Sequence, residues 1–396
     1  MTEVEETLRR TFGQAEGHAP RLPALLAERL EGVHRRRRRR ARVALAAAAV
    51  VLAASGTFTV TRGGDTITAV PASGPLSDKP VAPVEKVWPQ AVRVLPAKGP
   101  GGLSWRPAGL IDDRTLLMVT STADDGVAAA LYAYDLDKGA EREIVTMPDP
   151  DRNGFANGFI AGNGHLAWWT GSKDRVARLW TVPVDGGKAR LVGTQSIKEG
   201  DGSGIDALAV AGDKIVFSLY TGGVFSVPVA GGPVEPVKGG AGMHVLTWPW
   251  IGAPGRGGEP HGTEYARIVN VETGETRTAV TEAGEEIMFC GVTLCYGRTA
   301  EGRGFLRHRD GSAYKALPEG IVVGEPPAQD RFFASSYGDR APEGVGLYDV
   351  DTGASGDLGI QGEGQSIMMP SSDPTGRLLS YTLADRLYLI DLARIR

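Results

Sequence analysis

The chain has 396 residues, of which 42% are hydrophobic and 23% are charged, proportions that exclude disorder as the default state. Its 55 glycines and 25 prolines are scattered between short runs rich in Val, Leu, Tyr and Trp, which is typical of many strands joined by turns. The formal net charge is −4, but residues 1–42 contain eleven Arg against six Asp or Glu. This segment therefore carries about +5 and the remainder about −9, so the two parts are expected to face different surroundings.

Residues 1–42 form the first predicted segment, a short helical region in the cytoplasm. Apolar residues recur at helical spacing on both sides of Pro20, and Thr2 with Glu5 matches a capping box. Two short amphipathic helices cannot build a stable core alone. The segment is therefore expected to dock on a protein partner, on the membrane surface or on a second copy of itself. A frayed tail with local helicity is the alternative.

Residues 43–60 form the second segment, a predicted transmembrane helix. The run VALAAAAVVLAASGTFTV has no charged residue, and 18 residues at 1.5 Å each give about 27 Å of helix, close to the hydrocarbon thickness. Six arginines precede it, at Arg35–Arg40, and the positive-inside rule places such a cluster on the cytoplasmic side. A polyarginine block alone would suit nucleic acid, but its position before an apolar run favours a membrane and predicts no nucleic-acid partner. A signal peptide cleaved near Ala53, Ala54 and Ser55 is the alternative.

After this segment the chain is expected to lie outside the cytoplasm, beginning with an extended linker, residues 61–84, rich in Pro and Ser. The two cysteines, Cys290 and Cys295, flank a four-residue turn between two apolar runs. Facing strand positions would bring them within disulfide reach in an oxidising compartment. Two buried thiols are the alternative, whereas a zinc site needs more ligands than this region offers.

Residues 85–396 repeat one pattern, in which a tight glycine turn joins two strands. Six copies place this glycine at Gly139, Gly187, Gly232, Gly274, Gly311 and Gly353, separated by 48, 45, 42, 37 and 42 residues. With two further strand-type runs in each unit, this is the period of a four-stranded propeller blade. A seventh copy ends at the C-terminus without its fourth strand, while residues 90–99 form an unpartnered strand before the first unit. We therefore predict an all-β fold, a seven-bladed β-propeller with its last blade closed by the N-terminal strand; six or eight blades are the alternatives.

Two stretches of this region resemble a known group of proteins. The runs LWTVPVDGGKARLV (179–192) and SDPTGRLLSYTLADRLYLIDL (372–392) are similar to repeats of TolB-like and WD-repeat-like bacterial propellers. The resemblance covers about residues 85–396 and implies the fold far more than the function. A regular Gly-His and Trp-Asp signature is missing, so the chain is not a standard WD-repeat protein.

Residues 1–64 resemble, in composition only, the front end of actinobacterial single-pass proteins of the anti-sigma-factor-like type. This resemblance implies a cytoplasmic partner such as a sigma factor. The contact would be free of metal, because zinc-type anti-sigma domains carry a His and Cys cluster and no cysteine precedes Cys290.

Ligands of propellers usually bind where loops converge at the mouth of the central channel. In DPDRNG (149–154), Asp149, Asp151 and Asn153 alternate before Gly154, as oxygen ligands do in the first half of a calcium loop. The twelfth position is Ile160, so the bidentate Glu is missing. Calcium is the one cofactor this spacing suggests, and a polar turn is the alternative.

A second candidate site is the stretch HVLTWPWIGAPGRGGEPHG (244–262), which departs most from the repeat. It contains Trp248, Trp250, His244 and His261, with Arg256 and Glu259 nearby. Aromatic rings with polar groups suit a small-molecule, glycan or peptide ligand, and packing in the core is the alternative.

No catalytic motif is found: the chain has no G-x-S-x-G elbow and no H-E-x-x-H, and no catalytic residue is assigned. The sequence thus favours a membrane-anchored extracytoplasmic binding or sensing module that signals to a cytoplasmic partner. A surface-anchored propeller enzyme, such as a lyase, a lactonase or a glycan hydrolase, is the alternative.

Overall fold

The computed structural model describes residues 59–62, 65–68, 80, 82–122, 127–148, 154–197, 204–255, 263–317, 327–338, 341–362 and 366–396. The predicted cytoplasmic segment and most of the predicted transmembrane helix lie outside these residues. Strand β1 (Thr59–Arg62) pairs antiparallel with β2 (Asp65–Thr68), so the linker predicted to be extended begins with a hairpin. Within the described part of the chain, no helix is long and apolar enough to cross a membrane.

Seven sheets follow in the described residues, and each is one blade. Blade 1 consists of β4 (Ser104–Asp112), β5 (Thr115–Ser121), β6 (Ala128–Asp135) and β7 (Ala140–Thr146). Blade 2 consists of β8 (Phe155–Gly162), β9 (His165–Gly171), β10 (Val176–Pro183) and β11 (Arg190–Ser196). Blade 3 consists of β12 (Ile205–Ala211), β13 (Lys214–Leu219), β14 (Val224–Pro228) and β15 (Glu235–Pro236). Blade 4 consists of β16 (His244–Thr247), β17 (Trp250–Ala253), β18 (Arg267–Asn270) and β19 (Thr276–Thr278).

The remaining three blades complete the ring. Blade 5 consists of β20 (Glu286–Cys290), β21 (Leu294–Arg298), β22 (Gly304–His308) and β23 (Lys315–Ala316). Blade 6 contains β24 (Phe332–Tyr337), β25 (Gly344–Asp349) and β26 (Ser355–Gln361). Blade 7 consists of β27 (Ser371–Ser372), β28 (Leu378–Leu383), β29 (Arg386–Asp391) and the N-terminal strand β3 (Val92–Pro96). The prediction of seven blades is confirmed.

The strands of each blade are called A to D from the inside outward. Strand A of each of the first three blades contacts strand A of the next, as expected for strands that surround one axis. In blade 6 the three described strands occupy positions B to D, because β25 and β26 flank the repeat turn at Gly353. Residues 318–326, which precede them, lie outside the described part of the chain.

The strands form because their apolar residues alternate between two buried faces, and the core lies between successive blades. Trp168 and Trp169 show this: both are at most 1% exposed, but Trp168 packs with blade 1 and Trp169 with blade 3. Adjacent strand residues point to opposite faces, so one strand supplies two cores. The turn between β8 and β9 consists of Asn163 and Gly164, both with positive φ, the chemistry that a two-residue hairpin requires.

The ring is closed as the sequence predicts. Strand β3 pairs antiparallel with β29, with Leu95 opposite Leu387, so the strand nearest the N-terminus completes the C-terminal blade. The preceding helix α1 (Val84–Val87) and Trp88 pack into the apolar cluster between blades 6 and 7. Closure of this kind leaves no open end in the array of blades.

The outer strands are joined to the next blade by basic side chains, which we call the outer clamp (Arg142, Arg190 and Lys315). Arg142 in strand D of blade 1 donates to the carbonyl oxygens of Val184 and Asp185 in the C–D connection of blade 2, at 3.1 and 2.9 Å. Arg190 donates to Val229 O in blade 3 at 2.5 Å. Lys315 of blade 5 donates to Val350 O of blade 6 at 3.3 Å. The three accepting valines occupy the same position of the repeat, so one contact is built three times.

Candidate functional site

The two sides of the ring are built from different connections. The A–B and C–D connections meet at one side, here the turn face, and the D–A and B–C connections meet at the other, here the loop face. On the turn face, blades 1 to 4 join strand A to strand B with two residues each, as between Asp112 and Thr115. Longer connections belong to the loop face, for example residues 254–266 in blade 4. Such loops are the usual place for binding residues on a rigid propeller.

Exposed apolar side chains gather on the loop face. Among the described residues, four of the seven most exposed large hydrophobic side chains are on this side: Phe155, Tyr220, Met368 and Met369. Val94 and Leu191 lie on outer strands, and Val280 packs beside Gly311 in the C–D connection of blade 5. None of the seven itself belongs to an A–B or C–D connection. Met368 is 67% exposed and Phe155 is 46% exposed. Apolar side chains that cluster on one face of a soluble domain mark a place where something binds.

The inner strands are irregular next to this face. Strand A of each of blades 1 to 5 carries a shift of register against strand B. In blade 3 the shift falls between Ile205 and Ala207, so Asp206 is the extra residue. A bulge of this kind redirects a side chain away from the regular pleat. Here it turns the Asp206 carboxylate toward blade 4.

Asp206 forms a buried hydrogen-bonded network with Ser218 and His244. One carboxylate oxygen, Oδ2, lies 2.5 Å from His244 Nδ1, and the other, Oδ1, accepts the hydroxyl of Ser218. Ser218 Oγ in turn accepts the backbone N–H of Val245 at 3.0 Å. The side chains of His244 and Asp206 are only 7% and 6% exposed. The network joins strands A and B of blade 3 to strand A of blade 4.

The network fixes the orientation of the imidazole. Because the carboxylate accepts the Nδ1 proton, the lone pair of the neutral ring is on Nε2. Nε2 makes no hydrogen bond to the described residues. A Cβ on Gly255 would come within 2.2 Å of His244 Cγ, so only glycine allows the B–C connection of blade 4 to pass this close.

Tyr220 begins the B–C turn of blade 3. Its backbone N–H donates to Gly204 O at 2.9 Å, and its side chain is 36% exposed. The same turn donates from Gly223 N to Met243 O at 2.8 Å, next to His244. The B–C turn of blade 3 thus contacts the residue that leads into strand A of blade 4.

Trp248 and Trp250, which were predicted to bind a ligand together with His244, do not lie at the same face of the ring as His244. Trp248 and Trp250 flank the A–B turn of blade 4, on the turn face, whereas His244 begins strand A at the loop face. Trp248 packs against the apolar cluster between blades 3 and 4, and the ring of Trp250 lies 4.5 Å below the guanidinium of Arg277. His261, with Arg256 and Glu259, lies outside the described residues.

The predicted calcium ligands Asp149, Asp151 and Asn153 also lie outside the described residues, so calcium binding stays a prediction. Across the described ranges, no group of three or more His, Cys, Asp or Glu side chains is placed to hold a metal ion.

Cys290 and Cys295 are joined by a disulfide across the A–B turn of blade 5, from directly opposite strand positions. The turn carbonyl of Gly291 accepts a hydrogen bond from Arg309 Nε at 2.8 Å, and Arg309 also donates to Tyr265 O of blade 4 at 2.9 Å. Burial, with a smaller contribution from nearby Arg277, lowers the pKa of Arg309 to about 10. The bridged turn therefore belongs to the junction between blades 4 and 5.

Comparisons with known proteins agree on the fold. No protein-family model matches the chain, and no curated protein sequence matches it significantly. It is similar to the structure of an oligogalacturonate lyase in complex with manganese, at 12% identity over 76% of this chain and 96% of that chain, with a TM-score of 0.45. A candidate TolB protein from Agrobacterium tumefaciens is 14% identical over 76% and 97%, with a TM-score of 0.31.

The WD40 propeller domain of Doa1 is 9% identical over 76% of this chain and 99% of that chain, with a TM-score of 0.38. These solved structures include an enzyme as well as TolB and WD40 propellers, and at such identities a likeness concerns the fold alone. The arrangement of its own strands shows the chain to be a seven-bladed β-propeller.

Proposed function

We propose that the protein is a membrane-anchored, extracytoplasmic binding module whose loop face takes up a ligand and whose residues 1–42 contact a cytoplasmic partner such as a sigma factor. The observation that carries the binding role is the contrast between the two faces of the ring. Most of the exposed large hydrophobic side chains of the described residues lie on the loop face, and none belongs to the A–B or C–D connections of the turn face. Leaving Met368 and Phe155 in water has a hydrophobic cost that a bound partner would remove.

The proposed extracytoplasmic location of the propeller is supported by two features. The arginine cluster before the uncharged run 43–60 favours a span with its N-terminus inside. The disulfide between Cys290 and Cys295 is of a kind that persists in oxidising compartments and is rare in the cytosol. Together they support a propeller displayed outside the membrane.

The binding role is tested by screening the full-length protein in lipid nanodiscs against glycan and peptide arrays. The double variant Phe155→Ser, Met368→Ser removes two exposed apolar side chains from the loop face. The matched control, Val94→Ser with Leu191→Ser, removes two of similar exposure from the outer strands. Hits that the first variant loses and the control retains would support the proposal. Hits that both variants retain, or an empty screen, would refute it.

The location of the propeller relative to the membrane is tested by adding protease to intact cells. Digestion of the propeller in intact cells, with residues 1–42 protected until lysis, is the expected result. Co-purification then compares the full-length protein with a version lacking residues 1–34. A cytoplasmic regulator retained only by the full-length protein would support the signalling role, and identical partners for both would argue against it.

A second candidate function, a surface-anchored enzyme, is favoured by one observation, the Asp206–His244 pair. A histidine oriented by a buried carboxylate is a pair that enzymes use in general acid–base chemistry. If this function holds, a panel of lactones and glycans should show turnover that His244→Gln abolishes. Turnover unaffected by that change would exclude His244 as the base.

A further inference from the structure

We propose that the outer edge of blade 2, strand β11, binds an extended, uncharged peptide segment of a partner protein, which adds to the blade as a fifth strand. This site lies on the rim of the ring and is separate from the ligand site proposed for the loop face. Three features of β11 point to it: its free backbone groups, its lack of charge and the groove beside it.

The backbone of β11 presents unpaired hydrogen-bonding groups on its outer side. Ile197 N–H donates to Arg175 O across the β10–β11 pair, so alternation turns the N–H and C=O groups of Thr194 and Ser196 away from β10. Among the described residues no strand pairs with β11 on this side, and neither N–H group makes a hydrogen bond there. Free groups along an edge strand form a template on which a further strand can pair.

Five of the other outer strands have features that prevent such pairing. Strands β15, β19 and β23 have only two or three residues. Strand β7 is as long as β11 but carries the charged run Glu141–Glu143, and β3 carries Arg93 and ends at Pro96. Short length, charge and proline are the usual protections of an edge. Strand β11 is long, and from Leu191 to Ser196 it contains neither a charge nor a proline.

The remaining outer strand, β26 of blade 6, shows how the chain itself covers an edge. Asp357 N–H in β26 donates to Ala82 O at 2.9 Å, and Pro83 forms a parallel bridge with Asp357. A segment that precedes the first blade therefore pairs with this edge. The same kind of contact, supplied by another protein, would cover β11.

A groove beside β11 indicates which side chains the added strand would carry. It has a volume of about 310 Å³ and is lined by residues 191–194 and by residues 232–234 of blade 3. Its lining contains no charged residue, and Leu191 in its wall is 44% exposed. Gly232 N–H donates to Val192 O at 3.2 Å, so blade 3 covers the strand at this point and the added strand would pair beyond it. An apolar side chain of the added strand would lie in the groove, and alternate residues would face away from it.

The experiment selects binders from a phage-displayed library of random dodecapeptides, with the full-length protein in lipid nanodiscs as the target. Thr194→Pro removes an N–H group that the added strand would use and breaks no hydrogen bond within the blade. The matched control is Thr146→Pro in the charged strand β7. Thr146 also lies seven residues after its turn glycine, and the bond from Met147 N–H to Ala129 O turns it outward in the same way.

We expect the selected peptides to contain about five uncharged residues in which apolar and polar side chains alternate. A synthetic peptide of this kind should bind about tenfold more weakly to Thr194→Pro and to Leu191→Lys, and equally well to Thr146→Pro, measured by fluorescence polarisation. Methylation of every second backbone nitrogen of the peptide should weaken binding in one register and not in the other, because alternate N–H groups face the partner strand. Leu191 is exposed, so Leu191→Lys is expected to fold even where Thr194→Pro does not.

The remaining outcomes overturn the inference. They are an empty selection, and peptides that bind Thr194→Pro and Leu191→Lys as well as the original protein. Equal tolerance of methylation in both registers would show that no strand is added. A dimer in light scattering that Leu191→Lys dissociates would assign the edge to a second copy of the chain instead. In the array screen, a peptide lost by the outer-strand control but kept by the loop-face variant would belong to this edge, so the two proposals can fail separately.

Discussion

The outer strands and the loop face use polar side chains in different ways. The outer clamp, Arg142, Arg190 and Lys315, repeats one contact at three junctions, in each case reaching a carbonyl of the next blade. In the described residues, the Asp206–Ser218–His244 network is found at one junction alone. A contact that recurs from blade to blade is what the ring requires to hold together. A contact built once is the better candidate for function.

Acid should produce the largest effect on the ring. Burial is the largest single influence and would raise the pKa values of Asp349 and Asp391, but the hydrogen bonds that each accepts, together with attraction to Arg331 or Arg377, outweigh it and hold both pKa values below the usual range. Carboxylates with lowered folded-state pKa values stabilise the protein fully above about pH 4 and lose this contribution as the pH falls further. The free energy of unfolding should therefore fall steeply below pH 4, measured by urea unfolding of the full-length protein.

A variant with both carboxylates neutralised, Asp349→Asn with Asp391→Asn, provides the comparison. It should be less stable at pH 7 and should lose less stability between pH 5 and pH 3. Parallel pH profiles for the two proteins would show that these pairs do not govern acid unfolding.

Asp391→Ala should have the next largest effect. Asp391 is 12% exposed and accepts hydrogen bonds from Arg377 at 2.9 and 3.0 Å and from Arg394 at 3.1 Å in the closing blade. Removing the carboxylate takes away several charge-assisted hydrogen bonds at once, although Arg377 keeps its pair with the exposed Asp113, so we expect a loss of about 3 kcal/mol in the free energy of unfolding. Asp137→Ala, which removes an exposed pair with Arg114, should cost less than about 0.5 kcal/mol. Similar losses for both variants would mean that burial does not decide the contribution.

Asp206→Ala should cost about 2 kcal/mol, because it leaves the buried Ser218 hydroxyl and His244 Nδ1 without an acceptor. The exposed Asp213 in the same blade serves as control, and Asp213→Ala should change the stability by less than about 0.5 kcal/mol. Both values come from urea unfolding monitored by tryptophan circular dichroism. A loss below that of the control would remove the network as a link between blades 3 and 4.

Arg142→Gln should have a smaller effect, about 1 kcal/mol, because the hydrogen bonds that it removes lie at the exposed rim. Lys138→Gln removes a basic residue of the same blade whose ion pair with Asp135 stays within one turn, so it should be neutral. If Lys138→Gln were as costly as Arg142→Gln, net charge rather than the link to blade 2 would explain the loss.

The fold was open to prediction because its signals are local. Turn glycines recur at the period of a blade, and runs of alternating apolar residues mark strands, so neither requires knowledge of a distant contact. The outer clamp has such a signal too, which the sequence analysis missed. Arg142 and Arg190 each follow a turn glycine of the repeat by three residues, and Lys315 follows Gly311 by four. A basic residue three or four positions after the turn glycine is a pattern that the sequence alone shows.

The site was predicted only in part, for a physical reason. His244 was predicted as a binding residue because it lies in a stretch that departs from the repeat. Its partner Asp206 is 38 residues earlier, in an ordinary strand run. The bulge that turns Asp206 toward blade 4 depends on how strands A and B pair, which no short run of sequence specifies. Trp248 and Trp250 are near His244 in sequence but lie at the other end of the hairpin.

The smallest effect on stability is expected for Tyr220→Leu, an exposed residue of the loop face. Its ring is exposed and its backbone contacts do not depend on the side chain, so the free energy of unfolding should change by less than about 0.5 kcal/mol. Urea unfolding of this variant and of Arg142→Gln would then compare two residues. The loop-face residue Tyr220 should not contribute to the stability of the ring, whereas the outer-strand residue Arg142 should. A loss from Tyr220→Leu as large as that from Arg142→Gln would make the tyrosine part of the ring's support, and its exposure would no longer argue for a ligand.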